Sequence, residues 1–366
     1  MNQEGFQAIN TFHQDIIHDI SFDWYGQRLV TCSSDRNVKI WQKNQSGKWE
    51  LYHSITNQEG PVRKVKWAHP QFGTILAACS MDRSIHIYQE YKDITSIQKD
   101  PNEQQLQKQW KPIKIYNDKE VIEDMKFAPI HVGLILAVAR ADGKISIFQF
   151  KDLLNLLIHE KISNISVSPL GINSISWNKN RFDKKNMIAV GCKDRDTSQT
   201  KNQNGINGVA NQKSIDEEIE SGQSFKIIVF NSLQTVNAQD HYQMKFEYQE
   251  ANFQSLMHTQ NVSDVSWSLI NGRSFHLIAT CGKEGARIWY MKQLSTNQNS
   301  IQVMKVIDLF DQNYTESIEV QKISWNIMAS LVATSDSNNE IKIFKCVGIG
   351  KWEKIKSIKE VSDSEQ

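Results

Sequence analysis

One phrase recurs six times along the 366 residues: an apolar triplet, a turn bearing Asp, then an alternating strand that ends in an aromatic residue. It stands first as Leu29-Val30-Thr31-Cys32-Ser33-Ser34-Asp35-Arg36-Asn37-Val38-Lys39-Ile40-Trp41, and again as Leu76-Ala77-Ala78-Cys79-Ser80-Met81-Asp82-Arg83-Ser84-Ile85-His86-Ile87-Tyr88. Further copies run from Leu136 to Phe148, from Ile188 to Asp194 with a resumption at Phe225 to Phe230, from Ile278 to Trp289, and from Val332 to Phe344. Self-similarity at this period restricts the chain to a repeat architecture. Each copy is one supersecondary unit that buries its apolar faces only against its neighbours.

A second alternating element precedes every copy: Ile17 to Phe22, Val62 to Trp67, Ile122 to Phe127, Ile172 to Trp177, Val262 to Trp267 and Val320 to Trp325. Period-two alternation marks half-buried strands. An outer strand is legible at Lys48 to Leu51 and Lys351 to Lys354, each following a glycine, Gly47 and Gly350. The pattern predicts an all-β chain, a WD-repeat β-propeller of six four-stranded blades over residues 14–358. A β-sandwich would need six paired runs in the same order by coincidence. The turn residues Asp35, Asp82, Asp142 and Asp194, with Asn338 standing for Asp in the sixth copy, are expected to be structural. Asp side chains hydrogen-bond nearby backbone amides, and glycine beside them takes positive φ.

At about 40–45 residues per blade the length would hold eight blades. The excess lies in polar segments, chiefly residues 195–224, which are too polar to supply a core, and also Lys92 to Gln109. Asp152 to Leu157 suits either a short helix or an outer strand. The formal net charge of +1 excludes the bulk basic field that dominates nucleic-acid affinity, so no direct nucleic-acid partner is expected. No run of about 18 apolar residues predicts a membrane-spanning helix, and the first residues lack a secretion signal, so an intracellular protein is expected. Of five cysteines, Cys32, Cys79, Cys192 and Cys281 fall in four different copies and read as one repeated packing position. No metal-ligand spacing, P-loop, Rossmann fingerprint or nucleophile elbow occurs, so neither catalysis nor a cofactor is expected. His18 beside Asp19 reads as structural, because Asp recurs at that place as Asp124 and Asp264. Trp24 and Tyr25 fall outside the repeat pattern and are candidates for surface contact.

Ile16 to Gly26, running on to Thr31-Cys32-Ser33-Ser34-Asp35, resembles the first blade of the Seh-type WD-repeat nucleoporins, nuclear-pore relatives of the Sec-thirteen coat propeller. Trp67 to Gly73 is similar to a motif of both groups. Phe127 to Leu134 and Gly272 to Ala279 are closer to the Seh type. The resemblance spans residues 14–355, with departures at the polar insertion, the sixth turn and the N-terminus.

That resemblance implies an open, six-bladed propeller completed by a seventh blade from a partner, an α-helical solenoid nucleoporin of the Y-shaped nuclear pore complex. It further implies service in a vacuole- or lysosome-associated assembly that regulates TOR signalling, with no direct membrane insertion. On this reading Ile17, Ile20 and Phe22 line the partner-binding side of blade one, and Ile323 and Trp325 that of blade six. Phe6, Ile9 and Phe12 would belong to an outer strand of the shared blade within residues 1–13, and Trp24 is a further candidate for partner binding. Residues 359–366 form a polar tail. The alternatives are a Sec-thirteen-like vesicle-coat subunit, a closed peptide-binding propeller, or an enzyme with its site in the central channel.

Overall fold

The computed structural model describes residues 9–56, 58–92, 108–117, 120–153, 155–183, 185–193, 224–236, 242–250, 258, 260–269, 272–293, 301–310 and 319–359. Its strands form six four-stranded antiparallel sheets, the blades of a six-bladed β-propeller. Blade one is β1 (Ile17–Phe22), β2 (Arg28–Ser33), β3 (Val38–Lys43) and β4 (Trp49–Ile55). Blade two is β5 (Val62–Trp67), β6 (Ile75–Ser80), β7 (Ser84–Lys92) and β8 (Lys108–Asn117). Blade three is β9 (Ile122–Phe127), β10 (Ile135–Arg140), β11 (Lys144–Phe150) and β12 (His159–Ser166). Blade four is β13 (Ile172–Trp177), β14 (Asn186–Cys192), β15 (Phe225–Val236) and β16 (Tyr242–Glu250). Blade five is β17 (Val262–Trp267), β18 (His276–Gly282), β19 (Gly285–Gln293) and β20 (Ile301–Asp308). Blade six is β21 (Val320–Trp325), β22 (Leu331–Asp336), β23 (Glu340–Gly348) and β24 (Lys351–Lys359).

Internal contacts gather the chain into two units, Met1–Leu136 with Phe148–Glu160, and Ala137–Ile147 with Lys161–Gln366. The first holds blades one and two, the second blades four to six, and the strands of blade three are divided between them. In the first unit, Val30, Cys32, Val38 and Ile40 of blade one pack against Val62, Val65, Leu76, Ala78 and Tyr88 of blade two. In the second, Ala189, Phe225 and Ile227 of blade four pack against Val262, Val265 and Trp267 of blade five. Side chains alternate between the two faces of a strand, and within each unit the facing blades share an apolar core.

Three sequence expectations need correction. Asp152, Leu153 and Asn155 to Leu157 are neither helix nor outer strand, and Leu154 lies outside the described residues; the outer strand of blade three is β12, which begins at His159. Cys32, Cys79 and Cys281 do share one register position, opposite Asp19, Lys64 and Asp264. Cys192 lies one place further on, opposite Ile172, and Gly191 holds the shared position. A one-residue offset moves a side chain to the other face of its sheet, and the apolar run Ile188 to Cys192 hides that offset. Glycine is also not the rule at the positive-φ place in the hairpin turns. Arg36, Arg83 and Asn339 occupy it with φ of 64°, 72° and 56°. Gly143 does so in blade three, where an added Cβ would meet the Ser168 carbonyl oxygen.

Candidate functional site

The inner strands share one design, and their differences locate the site. In β5, β9, β13, β17 and β21 the first and fourth residues are buried: Val62 and Val65, Ile122 and Met125, Ile172 and Ile175, Val262 and Val265, Val320 and Ile323. These positions belong to the face that meets the preceding blade, as Val65 meets Val30 and Cys32. In β1 the same places are held by Ile17 and Ile20, 40% and 54% exposed, and the sixth residue, Phe22, is 59% exposed. In blade one, residues of core type at core positions thus stand in solvent. The apolar surface continues from Phe22, whose ring lies 5.9 Å from that of Trp49. It ends at Trp24, edge-on to His69 at 4.4 Å, and Tyr25, both exposed.

Blade six has the complementary property. The places that hold Val30, Cys32, Val38 and Ile40 in blade one are occupied by Ala333, Ser335, Ile341 and Ile343. None of the four is buried, and Ile341 is 44% exposed. Ile323 and Trp325, expected on this side, face the other way. Ile323 is 4% exposed in the cluster that includes Ala279, Cys281, Ile288 and Tyr290 of blade five, against which Trp325 also packs. The Trp325 indole N–H donates to the Ser266 carbonyl at 2.9 Å. Alternation shows that β21 has two faces but not which one points backwards, and that ambiguity produced the misplacement.

The N-terminal segment was expected to contribute a strand. Phe6 lies outside the described residues. Ile9 to Phe12 is not a strand: Ile9 is half-buried, and Phe12 is exposed with a φ of 50°. The Lys39 ammonium holds this stretch to blade one, donating to the Thr11 and Phe12 carbonyls at 2.9 and 2.7 Å.

Just beyond it lies a quartet that sequence reasoning missed. His13 Nδ1 is 2.8 Å from Asp35 Oδ2 and its Nε2 is 2.8 Å from Thr31 Oγ1, while the Trp41 indole N–H donates to Thr31 Oγ1 at 3.1 Å. One direction satisfies every group: indole to hydroxyl, hydroxyl to imidazole, imidazole to carboxylate. Blade five repeats it. The Trp289 indole donates to Thr280 Oγ1 at 2.7 Å, His258 Nε2 lies 2.6 Å from that hydroxyl, and His258 Nδ1 lies 3.3 Å from Glu284 Oε2. Burial pushes the His258 imidazole pKa down, as a neutral link in this chain requires. The signal was a His ahead of an inner strand, with Thr, acid and Trp in the following copy.

The turn acids do backbone work. Asp35 Oδ1 accepts from the Asn37 N–H at 3.0 Å, Asp82 Oδ1 from that of Ser84 at 2.9 Å, and Asp142 Oδ1 from that of Lys144 at 3.3 Å. Asp194 lies outside the described residues. In blade six the carboxylate is that of Asp336, which accepts from the Asn338 and Glu340 N–H groups at 3.0 Å each, and Asn338 serves as a donor. His18, the other candidate, has its Nε2 2.6 Å from Ser34 Oγ.

Among the described residues no group of three or more His, Cys, Asp or Glu is placed to hold a metal ion. Four-stranded blades, with histidine–threonine–tryptophan–acid quartets in blades one and five, define a WD-repeat propeller. The WD domain, G-beta repeat, family model matches residues 6–42 and 49–89. Nucleoporin SEH1-A of Xenopus laevis is 30% identical over 362 residues, covering 96% of this chain and 88% of the relative. Nucleoporin SEH1 of Osmerus mordax is 30% identical over 353 residues, with coverage of 94% and 85%. Nucleoporin SEH1 of Homo sapiens is 30% identical over 358 residues, with coverage of 94% and 86%. The chain belongs to the SEH1 nucleoporin family, and as a member it is a structural, non-catalytic protein.

Proposed function

We propose that this chain is a scaffold subunit of the nuclear pore, seated in the Y-shaped outer-ring complex. There it docks an α-helical solenoid nucleoporin that supplies a blade in trans. The observation that carries the docking is the exposure of Ile17, Ile20 and Phe22, residues whose counterparts form the inter-blade core elsewhere in the chain. An apolar sheet face beside an unprotected edge strand either receives another chain or promotes aggregation. Ile341 and its neighbours on blade six offer a second such surface. The role is architectural: the partner gains a rigid propeller, and the propeller gains cover for the exposed Ile17, Ile20 and Phe22.

The test is affinity purification of the tagged full chain at endogenous level, with crosslinking mass spectrometry. Stoichiometric nuclear pore solenoid proteins crosslinked near β1 and β23 support the proposal. Recovery of vesicle-coat subunits or of a vacuolar assembly alone would keep the docking and move the function. Recovery of no stoichiometric partner would refute it.

A further inference from the structure

Besides apolar packing, the joints between blades carry a polar signature. Where blades one and two meet, the Val65 N–H donates to Asp19 Oδ2 at 3.1 Å. Where blades five and six meet, the Ile323 N–H donates to Asp264 Oδ2 at 3.3 Å. In both cases the acid is the third residue of one inner strand and the N–H belongs to the fourth residue of the next. Both donating strands, β5 and β21, slip register between their first and third residues. Such a bulge releases backbone groups from the ladder, and a buried N–H needs an acceptor. The carboxylate of the preceding blade supplies it. Where blade four has Ser174 as the third residue, the fourth-residue N–H of the next strand, that of Val265, donates instead to Asp264 Oδ1 of its own strand at 3.0 Å, and Ser176, two places on, accepts from the Trp267 N–H at 2.9 Å.

Ile20 is the fourth residue of β1, behind the same slip between Ile17 and Asp19. Strand β1 is first in its sheet, so one edge of it has no strand of that sheet beside it. We infer that the partner segment covering β1 presents an Asp or Glu carboxylate to the Ile20 N–H, on a strand whose apolar residues cover Ile17, Ile20 and Phe22. This rests on the docking proposed above and specifies its chemistry. A carboxylate is favoured because both acceptors that a neighbouring blade supplies at this place are carboxylates, and charge-assisted bonds are the stronger kind. The nearest like charge does not oppose it, since Lys66 Nζ stands 2.5 Å from Asp19 Oδ2.

The sixth residue refines the register. Trp67 donates its indole N–H to the Ser21 carbonyl at 3.1 Å, and Trp325 does the same to Ser266 at 2.9 Å. Blade one has Phe22 at this place and no donor. The partner joint therefore keeps the carboxylate contact and lacks the indole bond, which Phe22→Trp would restore.

The experiment places p-benzoylphenylalanine at position 22 of the full chain in its own cells and maps the photocrosslinked residue by mass spectrometry. The expected product joins a nuclear pore protein at a segment with Asp or Glu within two residues of the crosslink. Replacing that acid by Ala in the purified partner should weaken binding to the full chain about tenfold, the scale of a hydrogen bond to a charged group. Phe22→Trp should tighten it by roughly twofold to tenfold. A crosslinked partner segment with no acid there, or an acid whose removal leaves affinity unchanged, overturns the inference and leaves the docking standing. Crosslinks only within this chain or to a second copy overturn both.

Discussion

Ile20 and Ile323 form a matched pair: the same residue type at the same place in two inner strands, 54% and 4% exposed. Truncation to Ala removes about three methylene equivalents, worth about 2.4 kcal/mol for a side chain taken wholly out of water. Ile20 withdraws less than half of its surface on folding, so Ile20→Ala should cost the free chain about 1 kcal/mol. Ile323→Ala loses the full transfer energy and leaves a cavity against Ala279, Ile288 and Tyr290, for a total of about 3–4 kcal/mol. Urea unfolding of the full chain, followed by tryptophan fluorescence, should separate the two by about 2–3 kcal/mol. With the partner the order should reverse. Ile20→Ala should weaken its binding about tenfold, since the remaining half of the transfer energy is realised only on docking, while Ile323→Ala should leave affinity nearly unchanged. Equal destabilisation of the free chain by the two variants would refute the reasoning, because it would mean that β1 is already covered by this chain.

Asp35→Ala removes the acceptor shared by His13, Gln14 and Asn37 and should cost about 2–4 kcal/mol by urea unfolding. Burial alone would raise the Asp35 pKa, but these hydrogen bonds outweigh it and hold it down to about 2. Its contribution is therefore complete above the unfolded carboxyl value near 4 and should fade as pH falls from about 4 towards 2, a slope that the variant lacks. For His258 the folded-state pKa is lowered, so the unfolded chain takes up the proton first. Stability should fall as pH drops below about 6.5, and His258→Gln should flatten that dependence in urea midpoints between pH 7.5 and 5.5. Arg36→Gly relieves a left-handed residue in an exposed turn and should stabilise by about 0.5–1 kcal/mol; a loss of stability would show that the arginine is held there by contacts.

The six blades were legible because their signals are local and repeated: alternation of period two, an acid in each turn, an aromatic at each strand end. The faces of those blades were legible only in part. Ile17, Ile20 and Phe22 carry nothing that marks them as exposed; their residue types are those of the buried positions. Only the register, compared blade by blade, separates them from Val65 or Ile323. Ile323 and Trp325 were assigned to the wrong face for the same reason, since burial depends on which neighbour a sheet meets. His13 and His258 were missed because a lone histidine ahead of a strand has no periodic signature until its threonine, tryptophan and acid are seen together.

A repeat array has two ends, and each must be made polar or be covered. The outer edge of blade six follows the first course, since β24, the last described strand, carries Lys351, Lys354, Lys356 and Lys359, a run that discourages pairing with further strands, while the face with Ile341 stays apolar. Blade one follows the second. Its own structure is held by the Asp35 turn and by the Lys39 bonds with residues 11 and 12. Yet its outward residues remain Ile, Ile and Phe, when a single exchange to Lys or Glu at Ile20 would remove the aggregation hazard at little cost to folding. An apolar face retained beside a hydrogen-bonded turn and anchor is what a surface made to be covered requires. The same exchange is then the sharpest separation of the two demands: Ile20→Lys should raise the solubility of the free chain and abolish its stoichiometric partner in affinity purification. Retention of the partner by that variant would mean that docking takes place elsewhere on the propeller.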